Sequence, residues 1–266
     1  MSIRLRGGLA RGRLRYVFRG QSVVVLGSLR PSAPGQHAVV ELLRGHRVVS
    51  RREVAITPAP GGVGNFTARM PVRRRGAFRL RALQGALKSP DLPLQAVFWS
   101  ARAAERGTKV LLLQRGLRSL GFAVPRSGRF GAATSRAVLA FRKTNSMRRR
   151  RAASPALYAR IFRHHGRFTL RHPRAGRHLE FDRSRRVLVL AAGGRAWRVY
   201  DASSRKPALG TYHFSRKQAG STVYFHGGLS IHAQRGLRTG GIRVAVPDAR
   251  RISQWITRGM QIFVYR

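Results

Sequence analysis

The chain has 266 residues, 43% of them apolar, which is room for two or three domains with buried cores. It carries 54 Lys+Arg against 8 Asp+Glu, a formal net charge of +46. Cysteine is absent, which excludes disulfides, thiolate metal sites and thiol catalysis, and so few scattered acids argue against a paired-carboxylate hydrolase. The only lysines are Lys88, Lys109, Lys143, Lys206 and Lys217, so arginine supplies almost all of the positive charge. That many like charges repel in a compact state, and the fold calls for counterions or an acidic partner. Nucleic acid, anionic wall polymers and a membrane surface are the candidate classes. The arginines run through the whole chain rather than gathering in one patch, as a compositional bias over solvated faces also would. Met1 to Leu14 holds Arg4, Arg6, Arg11 and Arg13 but no apolar run of signal-peptide length, so no export signal is expected in this chain. Nothing approaches the roughly 18 consecutive apolar residues of a membrane span.

Residues 13–100 read as strands and turns. Val23 to Leu26 is a β-rich run closed by Gly27, Pro31 to Gly35 is turn chemistry, and Val39, Val40, Leu42 and Leu43 precede Gly45. Phe66, Ala68 and Met70 alternate, as do Phe78, Leu80 and Ala82, which marks half-buried strands. Short strands at this spacing predict a β-sandwich. By pattern the segment resembles a bacterial immunoglobulin-like module, which implies a spacer or adhesion role.

From 107 to 165 the period changes. Val110, Leu113, Leu117 and Leu120 fall three and four apart on one helical face, and Gly121 ends the helix. Thr134 opens a second helix with Ala137, Val138 and Phe141 facing inward. Arg148 to Arg151 reads as a solvated basic loop. Ser154 and Pro155 read as a cap and first turn for a third helix bearing Leu157, Tyr158, Ile161 and Phe162. The run from Val110 to Phe122, Gly128 to Gly131, Thr134, Ala137, Val138 and Phe141 resembles a three-helix peptidoglycan-binding domain. The resemblance implies a ligand site at Gln114, Arg129, Phe130 and Thr134. Ser127 and Arg142 stand where that family often has Asp and Gln, and both are expected in the polar groove.

From 177 to 266 strands return. His178 to Asp182, Val187 to Leu190, a Gly193-Gly194 turn and Trp197 to Tyr200 read as a hairpin series. Gly210 to Phe214, Val223 to Phe225 and Leu229 to Ile231 are further strands. Pro247 to Ala249 opens a helix with Asp248 near its N-terminus, and Ile262 to Tyr265 is the last strand.

This block resembles the L,D-transpeptidase catalytic domain. The opening hairpin, Ser203 to Pro207 with Gly210 to Tyr212, Ile231-His232, Gly240 to Val244 and Asp248-Ala249 carry the likeness. The resemblance implies thiolate attack on a stem-peptide carbonyl, loss of D-alanine and resolution by an acceptor amine. A histidine activates the thiol, and backbone N–H groups hold the oxyanion. The family reads Ser-His-Gly-Cys, apolar residue, Arg; this chain reads Arg238-Thr239-Gly240-Gly241-Ile242-Arg243. Gly241 thus holds the cysteine position and Thr239 the histidine position, while His232, Gly240 and Arg243 survive. Ser230 neighbours His232 along its strand and is expected on the opposite face. Thr239 is a poor nucleophile without a base.

The expected architecture is multidomain and mainly β: an immunoglobulin-like sandwich, a small three-helix bundle and a transpeptidase-like β-rich domain. The expected function is engagement of peptidoglycan or anionic wall polymers without turnover, with a working transpeptidase and a polyanion or nucleic-acid binder as alternatives. No cofactor is expected. His164, His165, His172 and His178 lack carboxylate partners in metal-ligand spacing, and no metal site is expected. The resemblance implies a cell-wall or extracellular setting.

Overall fold

The computed structural model describes residues 1–204, 207–218, 221–226, 228–233 and 241–266. The architecture is mainly β. The chain divides into two compact units, Met1–Ser100 with Tyr158–Arg163, and Ala101–Leu157 with His164–Arg266.

In the first unit a four-stranded sheet runs in the order Ser2–Arg6, Gln21–Leu29, Val63–Val72, Thr57–Ala59. A larger sheet places His37–Arg44 between Gly76–Gln84 and Arg47–Ala55. Val25, Phe66 and Met70 from one sheet meet Val40, Leu80 and Leu94 from the other in one buried core. The alternation seen in the sequence is therefore the inward face of a sandwich, with Asn65, Thr67 and Arg69 turned to solvent. Ser2–Arg6 pairs antiparallel with the strand Gln21–Leu29, so pairing begins ahead of residue 13.

Three helices follow: α1 Thr108–Ser119, α2 Ala132–Thr144 and α3 Pro155–Phe162. Gly121, at φ +94°, turns the chain out of α1 and donates its N–H to Arg118 O. The second helix opens at Ala132, two residues ahead of the expected Thr134. Leu157 N donates to Ser154 Oγ at 3.4 Å, the cap foreseen for α3. The helices do not form a unit of their own: α1 and α2 belong to the second unit, and α3 from Tyr158 onward belongs to the first. Ahead of α1, Ala101 and Ala153 exchange two backbone hydrogen bonds of 2.9 and 2.8 Å. Arg142 is buried rather than set in a groove. Its guanidinium donates to Ala152 O, Arg148 O and Ser154 Oγ, which pins the exposed basic loop from within.

The rest of the second unit is two five-stranded sheets. One runs Arg195–Asp201, Val187–Ala192, His178–Asp182, Gln261–Tyr265, Gly210–His213. Its predicted hairpin turn holds Gly193 at φ +58° and Gly194 at +68°, the paired left-handed conformations of a tight two-residue turn. The other sheet runs Ser203–Ser204, Gly241–Val244, Leu229–Ala233, Thr222–His226, Arg216–Gln218. Helix α4, Val246–Trp255, starts with Pro247 in its first turn and Asp248 at its positive end. Phe181 and Leu190 from one sheet, Ile231 and Ile242 from the other, and Ile252 from α4 share a single core.

Among the described residues no helix is long and apolar enough to cross a membrane.

Candidate active site

Leu229–Ala233 and Gly241–Val244 pair in parallel, with Ser230 opposite Gly241, Ile231 opposite Ile242 and His232 opposite Arg243. Ile231, Ile242 and Val244 point into the core, so Ser230, His232, Gly241 and Arg243 share the other face. The structure thus brings together three of the five residues assigned to catalysis, His232, Gly241 and Arg243. Thr239 and Gly240 lie outside the described residues.

Ser230 corrects one expectation. It lies two residues from His232, not one, and a period of two puts both on the same face. Ser230 Oγ is 3.1 Å from His232 Nδ1. Both residues are buried. Nε2 of His232 has no hydrogen-bond partner among the described residues. Burial pushes the imidazole pKa below its ordinary value of 6.5, the nearby Arg243 cation lowers it further, and the Ser230 backbone works the other way. The neutral form is therefore favoured, as a base requires. A hydroxyl beside a neutral imidazole is the first half of a nucleophile–base pair.

Gly241 is closed to any side chain. Its φ is +139°, a region that side-chain-bearing residues rarely adopt. A Cβ built there would lie 2.1 Å from Ser230 O and 2.8 Å from Ser230 N. Both obstructing atoms are backbone, so a cysteine fits only if one of the two paired strands moves. The position that the sequence resemblance aligns with a cysteine has no space for a side chain.

The second catalytic-looking cluster is a support. Glu180 is fully buried and accepts from Arg171 N at 3.1 Å, His172 N at 2.7 Å and Tyr265 Oη at 2.6 Å, with His178 Nε2 at 3.3 Å. Burial pushes its pKa up, but these hydrogen bonds outweigh burial and hold it below the ordinary carboxylate value. Tyr265 is shifted upward, by burial first and then by Glu180. The acid ties the entry to the domain onto its first and last strands. Among the described residues, no group of three His, Cys, Asp or Glu side chains could hold a metal ion.

The residues assigned to peptidoglycan binding divide differently. Gln114, Phe130 and Thr134 are buried, and only Arg129 is exposed. Gln114 Nε2 donates to Thr134 Oγ1 at 2.9 Å and Arg129 O at 3.0 Å, while its Oε1 accepts from Gly128 N at 2.8 Å. Exposed Ser127 joins this network through its Oγ, 3.3 Å from Gln114 Nε2. The motif's conspicuous glutamine locks the 127–129 loop onto the start of α2.

A β-rich unit of two five-stranded sheets, with α4 closing the core and a serine–histidine–glycine face on paired parallel strands, has the L,D-transpeptidase fold. The crystal structure of the L,D-transpeptidase (residues 123–326) from Xylanimonas cellulosilytica DSM 15894 shares it. That structure is 24% identical, with a TM-score of 0.56, over 62% of this chain and 97% of that one. An L,D-transpeptidase from Mycobacterium smegmatis aligns over 100% of this chain and 99% of that one, at 10% identity and a TM-score of 0.30. L,D-transpeptidase 1 from Mycobacterium tuberculosis aligns over 98% of each chain, at 11% identity and a TM-score of 0.30. Superpositions that loose carry no weight. No family model matches the chain. No curated protein matches it either.

Proposed function

We propose that the protein engages peptidoglycan or anionic wall polymers on an L,D-transpeptidase fold that has lost transpeptidase chemistry. The observation that carries the reading is Gly241, where a Cβ would strike the Ser230 backbone at 2.1 Å in a chain without cysteine. The fold likeness supports a cell-wall or extracellular setting. In this reading the first unit is an immunoglobulin-like spacer, and the α1–α2 segment is a wall-docking element working through exposed groups such as Arg129 rather than the buried Gln114. The charge of +46 adds non-specific attraction to any polyanion, nucleic acid included.

The test is release of D-alanine from a tetrapeptide stem, beside sedimentation with purified peptidoglycan. Removing a protease nucleophile costs on the order of a millionfold in turnover, so no release is expected. Release that scales with protein concentration and survives repurification overturns the reading. Sedimentation with wall stripped of anionic polymers should persist at about 0.3 M salt, where the Debye length is roughly 5–6 Å. Its loss there, on stripped wall as on DNA, reduces the function to charge.

One observation favours a second reading. Ser230 Oγ lies 3.1 Å from His232 Nδ1, so acyl transfer through a serine is the route any surviving activity would take. Ser230→Ala abolishes D-alanine release in that case and changes nothing in the first.

A further inference from the structure

Trp197 and Trp255, two of the three tryptophans of the chain, stack at 5.8 Å between centroids with their planes 16° apart. Trp197 is 44% exposed, unusual for so large an apolar side chain. Each indole carries a guanidinium over its ring: Arg177 lies 4.3 Å from Trp255, and Arg198 lies 4.7 Å from Trp197. The same arginines are anchored by hydrogen bonds of 2.6 Å, Arg177 to Trp255 O and Arg198 to Trp197 O. Together with Arg118 and Arg251 they line a groove of about 500 Å³.

Three features mark this groove among the many basic surfaces. A guanidinium stacked on an aromatic plane is pre-ordered, and its edge still offers N–H donors in a planar fork that matches a phosphate or carboxylate. No carboxylate is among the residues lining the groove. Its cations crowd one another: burial and then Arg118 lower the pKa of Arg198, with Arg126 and Arg251 adding to the effect. An anion in the groove relieves that repulsion. Each ring already has a second indole and a guanidinium as stacking partners, which leaves little face for a nucleic-acid base.

We propose that the Trp197–Trp255 groove binds the phosphate groups of a non-aromatic anionic polymer, a polyol- or sugar-phosphate chain. The polymer's phosphates meet the stacked Arg177 and Arg198, and its aliphatic carbons lie along the exposed Trp197 edge. The identity of the polymer rests on the wall-binding reading; the anion site rests on the geometry alone.

The test uses the full chain with Trp99→Phe, so that fluorescence reports only Trp197 and Trp255. It is titrated at fixed salt with a glycerol-phosphate oligomer, inorganic phosphate, and oligothymidylate of equal phosphate number. The oligomer should change the fluorescence and bind at least about tenfold more tightly than inorganic phosphate, since several phosphates are neutralised at once. The double variant Arg177→Lys with Arg198→Lys keeps the net charge and loses the planar forks, so affinity should fall about fivefold or more. Arg47→Lys with Arg74→Lys, in the first unit, should have no effect. Should the double variant melt early, Arg251→Lys, at an exposed rim position, must still weaken binding. Equal affinity in the wild type and both groove variants overturns the proposal. So does oligothymidylate binding as tightly as the oligomer, or inorganic phosphate doing so. Sedimentation with polymer-free peptidoglycan is measured alongside. If it persists while the groove titration fails, the wall reading stands without this site.

Discussion

Arg136 Nε on α2 meets Asp248 Oδ2 in the first turn of α4 at 2.7 Å, across 112 residues of sequence. The contact joins the helical segment to the transpeptidase-like sheets, and it is not alone. Lys143, near the end of α2, reaches Asp201 at 2.6 Å with both side chains largely buried. The segment leaving α1 runs along the strand Arg195–Asp201, where Ala123 N donates to Val199 O at 3.1 Å and Val199 N donates to Gly121 O at 2.8 Å. A wall-docking helical element would therefore be rigidly coupled to the β-rich domain. Binding at one would orient the other.

Breaking the buried pair should be costly. Burial lowers the Lys143 pKa, Asp201 opposes that shift, and Lys143 Nζ also donates to Arg186 O and Ala202 O. Asp201→Leu strands a buried cation and should destabilise the second unit by about 3–5 kcal/mol, whereas Lys143→Met together with Asp201→Leu should recover most of the loss. Chemical denaturation of the four members of the cycle measures this. A single variant within about 0.5 kcal/mol of wild type would show that the pair is solvated.

Gly241→Ala should destabilise the unit by roughly 3 kcal/mol, combining backbone strain at φ +139° with the Ser230 clash. Gly131, at an ordinary φ with open space beside it, is the control, and Gly131→Ala should be nearly silent. Thermal melts compare the two. Adding Thr239→His to Gly241→Cys should not give a hyper-reactive thiol, because the side chain has no room. Rapid alkylation of that cysteine at neutral pH would show that the strands part easily.

His232 sets a pH dependence. Its folded pKa lies below 6.5, so the unfolded chain takes up this proton first as the pH falls. The stability contributed by the neutral imidazole is complete above about pH 6.5 and declines as the pH drops towards the lower folded value. His232→Asn should flatten the melting temperature between pH 7 and pH 5 relative to wild type. Parallel curves for the two proteins would assign the acid sensitivity elsewhere.

Limited trypsin digestion should cut first within Arg148 to Arg151, an exposed basic run. The nicked protein should remain one particle on gel filtration, because Ala101 pairs with Ala153 and Arg142 holds both sides of the loop. Fragments that separate without denaturant would contradict this.

Much of the fold was legible because its signals are local. Alternation in Phe66, Ala68 and Met70, the Gly193-Gly194 turn and the Ser154-Pro155 cap each act within a few residues. The site was half legible. The two strands of Ile231-His232 and Gly241 to Val244 follow from the family pattern, and their shared face follows from a period of two. The 2.1 Å closure at Gly241 did not, since it depends on how closely one backbone passes another. Nor did the interior role of Gln114, because a buried glutamine and a ligand-binding one look alike until partners such as Thr134 and Gly128 are placed. The Trp197–Trp255 stack joins residues on a strand and a helix far apart in sequence, with no local period to announce it.

The fate of the eight acids has one further consequence. Six of them form ion pairs with lysine or arginine within the fold, Glu41, Asp91, Glu105, Asp182, Asp201 and Asp248, and a seventh, Glu180, is buried among hydrogen-bond donors. What faces outward is overwhelmingly guanidinium, a group that does not titrate in water's usable range. Chemically the exterior is a strong-base ion-exchange resin, whose capacity is indifferent to acidity and which is eluted only by competing salt. On the proposed wall-binding reading, such a particle would stay loaded on a polyanionic matrix through swings in acidity that would strip a histidine- or carboxylate-based binder.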